Sequence, residues 1–313
     1  MRKPHSLRLA GLAAATLVVI GCSGQAAVET NQLTIITTSM ALDEATSLAV
    51  AEYLQTHGVE VDVQQHNAPA QVFDALEAET PEDQTVVGIV SAPQDQQVEE
   101  RSVEVPDNVE LIAQAPAELG FVASTSSITA ANFARTVVNA EDPEKPMADA
   151  CAQQTWFHPQ LPEESLRVIS DALAEEGCEP RFETVETLDT ETYGALIEQL
   201  IVKPDTVVML RGLDPAISDQ GLETLDVETQ QWPNSNIVAV SGTEVDDALV
   251  DQITDVLDVL DSEAATTLLR GYYNAQTSVS DLQFEVDDAI RYWLAQSELS
   301  DPDTVINITG DNE

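Results

Sequence analysis

Read as a pattern of apolar and polar positions, the chain switches repeatedly between period two and a helical period of about 3.6 residues. "QLTIITTS" at 32–39 predicts a strand. "LDEATSLAVAEYLQTHG" at 42–58 predicts a helix with Ala45, Leu48, Ala49 and Tyr53 on one face and Gly58 as its stop. "VEVDVQQH" alternates as a second strand, "PAQVFDALEAE" carries Val72, Phe73 and Leu76 inward on a short helix, and "QTVVGIVSAP" reads as a buried third strand. This βαβαβ opening predicts a parallel sheet with helices packed on its faces.

"NVELIAQAPAELGFVAS" holds two apolar runs broken by "QAPAELG", as expected where a chain passes from one lobe to another. A second βα series follows. "ITAANFARTVVNAEDPEKPM" reads as a helix and loop, and "PEESLRVISDALAEEGC" as a helix burying Leu166, Ile169 and Leu173 and stopped by Gly177. "RFETVET", "ETYGALIEQLI" and "DTVVMLRG" then give strand, helix and strand. A return crossing is expected near Leu210 to Pro215. After the strand "NSNIVAVS", "VDDALVDQITDVLDVLDS" packs Leu249, Ile253 and Leu257 or Leu260, and "FEVDDAIRYWLAQSEL" packs Val286, Ile290, Trp293 and Leu294. The predicted fold class is α/β, two lobes joined by two crossings around a central cleft. Its expected parts are a signal segment at 1–21, a tether at 22–32, a first lobe from 33–114 plus 215–313, and a second lobe from 115–214.

The amino terminus changes the picture by adding an address. Arg2, Lys3 and Arg8 precede an apolar stretch from Leu9 to Ile20, the arrangement of a secretory signal. At about 1.5 Å per helical residue this stretch is short for a hydrocarbon core of about 30 Å. Val19-Ile20-Gly21-Cys22 resembles a bacterial lipobox, in which the cysteine becomes the lipidated first residue of the mature chain. The expected location is therefore the cell membrane, lipid-anchored on its extracytoplasmic face, with ordinary secretion as the alternative. Cys151 and Cys178 then remain, and an even pair in an exported chain reads as a disulfide, two reduced buried thiols being the other reading.

Charge excludes some partners. Twelve Lys and Arg stand against 56 Asp and Glu, a formal net charge of -44, so nucleic acid and anionic lipid surfaces make poor partners. The carboxylates are spread over the whole chain, which fits a solvated surface better than a ligand-selecting field. His57, His66 and His158 are scattered singly, without metal-site spacing. The chain carries no GxSxG, HExxH, P-loop or strand-following GxGxxG pattern, so an enzyme is not expected, nor is a metal or cofactor.

Several stretches resemble the substrate-binding lipoproteins of ABC transporters for osmoprotectants such as glycine betaine, choline and carnitine. "LTIITTSMALDEATSLAVAEYLQTHGVEVDV" resembles that family's first strand, ligand-facing turn and helix, and "NAPAQVFDALEAE" its helix under the cleft. "LETLDVETQQWPNSNIVAV" resembles the return to the first lobe, and "DVLDVLDSEAATTLLRGYYNAQTSVSDLQFEVDDAIRYWL" the closing helices. The resemblance implies the two-lobed type II periplasmic-binding-protein fold and a monomeric receptor that binds a small-molecule solute, closes its lobes on it and delivers it to an ABC permease. It also implies an aromatic cage for a quaternary ammonium, since a cation is drawn to a ring face. Trp156, Phe157, Trp232, Tyr272 and Tyr273 are the cage candidates, Trp232 first among them. The stretch "IVSAPQDQQ" stands where the family shows a tyrosine-and-glycine turn. That favours the other reading, a receptor-derived surface lipoprotein serving as sensor, scaffold or adhesin.

Topology adds further candidates, because ligands of open α/β sheets collect outside the carboxyl ends of the strands. Thr38, Ser39 and Met40 follow the first strand, where a helix N-terminus offers N–H groups, and Ser91 follows the third. Arg211 and Asp214 lie at the expected return crossing. Arg211 is a partner for a ligand carboxylate or one half of an interlobe salt bridge. Asp43 and Glu44 are first-turn residues that favour the helix dipole and could meet an ammonium.

Overall fold

The computed structural model describes residues 32–77, 85–94, 103–159, 163–185, 190–203, 205–227, 232–277 and 285–301. The signal segment and Cys22 lie outside the described residues, as does nearly all of the expected tether.

Two five-stranded sheets share one plan. The first runs β2-β1-β3-β10-β4, from β1 (Gln32–Thr38), β2 (Glu60–His66), β3 (Thr85–Pro93), β4 (Glu110–Glu118) and β10 (Ser235–Ser241). The second runs β7-β6-β8-β5-β9, from β5 (Phe121–Thr125), β6 (Thr155–Pro159), β7 (Arg181–Val185), β8 (Thr206–Arg211) and β9 (Glu223–Thr224). Within each sheet three strands are parallel, and the strand arriving from the other lobe pairs antiparallel beside the third of them. That strand is β10 against β3 in the first sheet and β5 against β8 in the second.

Side-chain alternation loads both faces of the first sheet. Leu33 and Ile35 of β1, with Val87 and Ile89 of β3, point to α1 (Ala41–Thr56), α8 (Asp247–Asp258), α9 (Ser262–Thr277) and α10 (Val286–Gln296), where Leu54, Ile253, Leu257, Leu268 and Trp293 complete the core. Ile36, Val90, Val238 and Val240 face the other way, onto Val72 and Leu76 of α2 (Pro69–Glu77). That helix comes close because β3 carries Gly88, where a Cβ would lie 2.9 Å from Val72 Cγ1.

The second sheet is covered on one side by α3 (Ser127–Val138), α4 (Ala148–Ala152) and α5 (Glu163–Glu175), with Phe133, Trp156, Ile169, Leu173 and Met209 in one core cluster. On the other side α6 (Thr190–Val202) brings Leu196, Ile197 and Leu200 against Val208 and Leu210. Cys151 and Cys178 form the expected disulfide, fully buried, with Cα atoms 5.4 Å apart. It pins α4 to the turn after α5, where Gly177 takes φ +78°.

Sheet pairing puts both lobe exchanges later than the expected limits of 115 and 214. The interrupted run "QAPAELG" is strand until Glu118, and Pro116 is accommodated because β4 is an edge strand with Pro116 exposed. The chain crosses at Leu119-Gly120. On the way back, α7 (Pro215–Asp219) follows β8, but β9 still pairs with β5, so the return falls between Thr224 and Ser235. A two-residue strand offers no alternation to read, which hid this exchange. No described helix is long and apolar enough to cross a membrane.

Candidate functional site

The carboxyl ends of the parallel strands meet where the lobes join. β1 ends in Thr38, and the chain turns through Ser39 and Met40 into α1, whose first turn carries Asp43. Both Ser39 and Met40 are exposed, Met40 to 37%. Ser39 N–H donates to the His66 carbonyl at 2.9 Å, and Met40 N–H to Thr38 Oγ1 at 3.2 Å. Met40 provides no side-chain cap for α1.

Asp43 is fully buried, and its carboxylate is gripped by donors from two strand ends. Its Oδ2 accepts from Thr38 Oγ1 at 2.6 Å and from Ser91 N–H at 3.1 Å, and its Oδ1 accepts from Ser91 Oγ at 2.5 Å. Burial pushes the Asp43 carboxyl above its ordinary range, while the Ser91 and Thr38 bonds and the charge of Arg211 oppose that push. Sequence reading took Asp43 for a first-turn residue that favours the helix dipole or could meet an ammonium, since nothing in "SMALDEA" marks a carboxylate that turns back beneath the strands.

Arg211, the last residue of β8, answers Asp43 from the other lobe. Its Nη1 donates to the Leu119 carbonyl at the first crossing and to Ser235 Oγ, 3.2 Å away, at the second. Its guanidinium carbon lies 4.0 Å from the centre of the Phe121 ring. Burial draws its pKa down to about 10, and the Asp43 charge holds it up. Arg211 therefore ties the two crossings to one another and remains partly exposed.

Three residues on, Asp214 is nearly buried and caps α7, accepting from Ala216 N–H at 2.9 Å. The segment from Leu213 to Asp219 rests on α9: Thr266 Oγ1 donates to the Leu213 carbonyl at 2.9 Å, and Arg270 meets both carboxylate oxygens of Asp219 at 2.8 and 2.9 Å. Tyr272 and Tyr273 of the same helix meet edge to face at 6.1 Å. Tyr272 is hydrogen-bonded to Glu44, and burial with that carboxylate pushes its hydroxyl pKa up. Burial and the Asp214 charge do the same at Tyr273.

Of the residues singled out in the sequence, Ser91 holds Asp43, whose charge acts on Arg211; Asp214 caps α7 just after Arg211, and Ser39 and Met40 lie exposed in the turn into α1. The structure does not bring Trp156 or Trp232 to this junction. Trp156 is 0% and Trp232 2% exposed, both inside the second lobe's core cluster. Trp156 is the second residue of β6, with Phe182 edge-on at 6.2 Å, and its ring fills the sheet face. Tyr272 is core as well, at 2%. The site residues that sequence reasoning missed are Leu119, Phe121 and Ser235. They flank the two crossings, and the later placement of those crossings is the signal that finds them.

No protein-family model and no curated protein sequence matches the chain. Solved structures do. The chain is similar to a glycine betaine/carnitine/choline ABC transporter protein at TM-score 0.58 and 12% identity, over 85% of this chain and 99% of that one. It is also similar to an ABC-transporter choline binding protein in complex with choline, at TM-score 0.56, 12% identity and coverage of 86% and 89%. Lactococcal OpuAC in its closed form with glycine betaine matches at TM-score 0.54 and 10% identity, over 90% and 100%. The fold is the two-lobed type II periplasmic-binding-protein fold, as the resemblance implied. The expected resemblance to the osmoprotectant-binding proteins is borne out in these structural neighbours, at identities that mark a divergent sequence.

Proposed function

We propose that this chain is an extracytoplasmic solute-binding lipoprotein of an ABC importer, taking a quaternary-amine osmoprotectant such as glycine betaine or choline. Lipidation at Cys22 would hold it to the membrane as a monomer, and a permease would receive the closed, loaded form. The observation that carries the reading is the junction of the lobes. Carboxyl ends of strands from both sheets converge there on Arg211 and Asp43, at a hinge made of two crossings. A solute bound across such a hinge favours closure by its differential affinity for the closed state.

The test is thermal unfolding of the purified chain with betaine, carnitine, choline, amino acids and small sugars. A solute present at about 100 times its Kd adds roughly 2.7 kcal/mol to the folded state, a clear rise in Tm. No shift with any of them would sink the transport reading. One observation favours a second reading, a receptor-derived surface lipoprotein acting as sensor, scaffold or adhesin: both tryptophans proposed for a cage are core residues. Silence across the panel would favour that alternative.

A further inference from the structure

The two crossings are not the only ties between the lobes. The segment 213–219 leaves the second lobe's sheet at the end of β8 and the chain rejoins that sheet at β9, yet the segment is seated in both cores. Leu213 is buried in the first lobe's core cluster, with residues of α1, α8, α9 and α10. Three residues on, Ala216 is buried in the second lobe's cluster with Leu196, Leu200 and Val208, and Ile217 packs beside it. Pulling the segment from either core would expose apolar surface to water.

Two polar contacts join this segment to α9, four residues apart on that helix, and they differ in kind. The inner one is the bond from Thr266 Oγ1 to the Leu213 carbonyl, 2.9 Å long. It lies beside a buried side chain and two residues beyond Arg211, which bonds to both crossings. The outer one is Arg270 against Asp219, Nε to Oδ2 at 2.8 Å and Nη2 to Oδ1 at 2.9 Å, with Nη2 donating also to Ser218 Oγ at 3.2 Å. Both side chains of that pair are exposed.

Rotation of one lobe on the other about the crossings displaces each contact in proportion to its distance from the pivot. Four residues of helix span about 6 Å, so a rotation of about 20° moves the outer contact by up to about 2 Å more than the inner one. That carries a bidentate pair out of hydrogen-bond range.

We propose that α7 is a clasp between the lobes, with Leu213 and Thr266 engaged throughout as its pivot and the Arg270–Asp219 pair opening and closing as the lobes rotate. The pair holds the lobes in the arrangement described above. Because it is exposed, its hold weakens as salt rises, so ionic strength acts on the lobe equilibrium through one ion pair. The clasp uses neither Asp43 nor Arg211 and needs no solute, so it stands or falls apart from the solute-binding reading.

The experiment is single-molecule energy transfer on the full chain without solute. Dyes are carried on unnatural side chains at Gln55 of α1 and Val138 of α3, exposed positions in different lobes and outside the clasp. Wild type is compared with Arg270→Gln, with Asp219→Asn and with the charge swap Arg270→Asp plus Asp219→Arg, at low salt and at about 1 M salt. At low salt each single variant is expected to lower the ratio of molecules in the described arrangement to rotated ones by about 2- to 5-fold, the reach of an exposed pair, and the swap to restore it. Near 1 M salt wild type and single variants are expected to converge. Salt also screens repulsion between the two acidic lobes, but that acts on every chain alike, so the difference between chains is the readout. A lower Tm in the single variants with unchanged distance distributions makes the pair a prop of the fold alone and overturns the clasp. One fixed distance in every chain and salt does the same, as does a shift that the swap fails to restore or that persists undiminished near 1 M salt. Should one single variant not fold, the other carries the test.

Discussion

Replacing Asp43 tests the electrostatic joint between the lobes most directly. Its two oxygens accept three hydrogen bonds in a fully buried position. Asp43→Ala removes all three acceptors at once. The Thr38 and Ser91 hydroxyls can turn to other acceptors, but the Ser91 N–H is fixed by β3 and is left buried and unpaired, which costs about 1–3 kcal/mol. Arg211 also loses its counter-charge. Full loss of a buried partner costs about 3–5 kcal/mol, a figure to be discounted here because Arg211 is partly exposed. The expected total is about 3 kcal/mol, read as a drop in urea midpoint at unchanged slope. Asp43→Asn should behave differently. Its amide oxygen can keep the Thr38 and Ser91 N–H bonds while its NH2 donates to Ser91 Oγ; it still removes Arg211's counter-charge, so the loss should fall below that of the Ala variant by about the 1–3 kcal/mol of the unpaired N–H. The two variants also differ from wild type in pH dependence. Because burial raises the Asp43 pKa, its contribution to stability is fully present below the ordinary carboxyl pKa and fades as pH rises through the raised value. Asn lacks that loss, so Asp43→Asn should compare more favourably with wild type at pH 7 than at pH 4. A loss below about 1 kcal/mol in the Ala variant, or equal losses in Ala and Asn, would refute the reasoning.

Three other outcomes follow from the packing. Opening the Cys151–Cys178 bridge, whose ends are 27 residues apart, should lower stability by about 3.5 kcal/mol on chain-entropy grounds, measured by urea unfolding with and without reductant. The Arg270–Asp219 pair, with its side chains 37% and 41% exposed, should show a double-mutant coupling below about 1 kcal/mol that shrinks in 1 M salt. Since Arg270 holds the Asp219 carboxyl low, the pair's contribution is present above the ordinary carboxyl range and lost as pH falls through the depressed pKa; coupling that survived full protonation would contradict this. Gly242→Ala would place a Cβ 2.2 Å from the Leu76 carbonyl oxygen, so α2 must shift, and a Tm fall equivalent to about 1–3 kcal/mol is expected.

How much of this was legible depends on which contacts are local. The strands and helices of both βα series could be read because each writes its own period. Leu33 and Ile35 alternate, and Leu249, Ile253 and Leu257 recur at helical spacing. The disulfide followed from parity and export. The first crossing falls at the end of "QAPAELG", where the broken run suggested it, but the return was expected too early because its position is set by pairing between distant segments: β9 is strand only because β5 lies beside it. The tryptophans failed as cage candidates for a related reason. A tryptophan in "TWFHP" satisfies a strand pattern whether its ring faces a cleft or a core, and only the packing of α4 and α5 decides. Arg211 was singled out for its scarcity. The carboxylate that balances it could not be chosen among 56 acidic residues, because what sets Asp43 apart is burial beneath β1 and β3.

Scarcity of positive charge also bears on how the two lobes are held together. In a chain with a formal charge of -44, self-repulsion opposes any compact arrangement of two acidic bodies. Three of the described cations counter it at seams. Arg270 fastens α9 to α7, Arg291 fastens α10 to Glu52 of α1 at 2.6 Å, and Arg211 spans both crossings. The first two are spent in ion pairs on the surface, with their charge matched locally. Arg211 is not: its partners are a carbonyl, a hydroxyl and a ring, and its nearest counter-charge is a carboxyl that burial pushes toward the neutral form. A cation neutralised only in part and fixed in direction keeps a positive field at the seam between the lobes of an otherwise negative molecule.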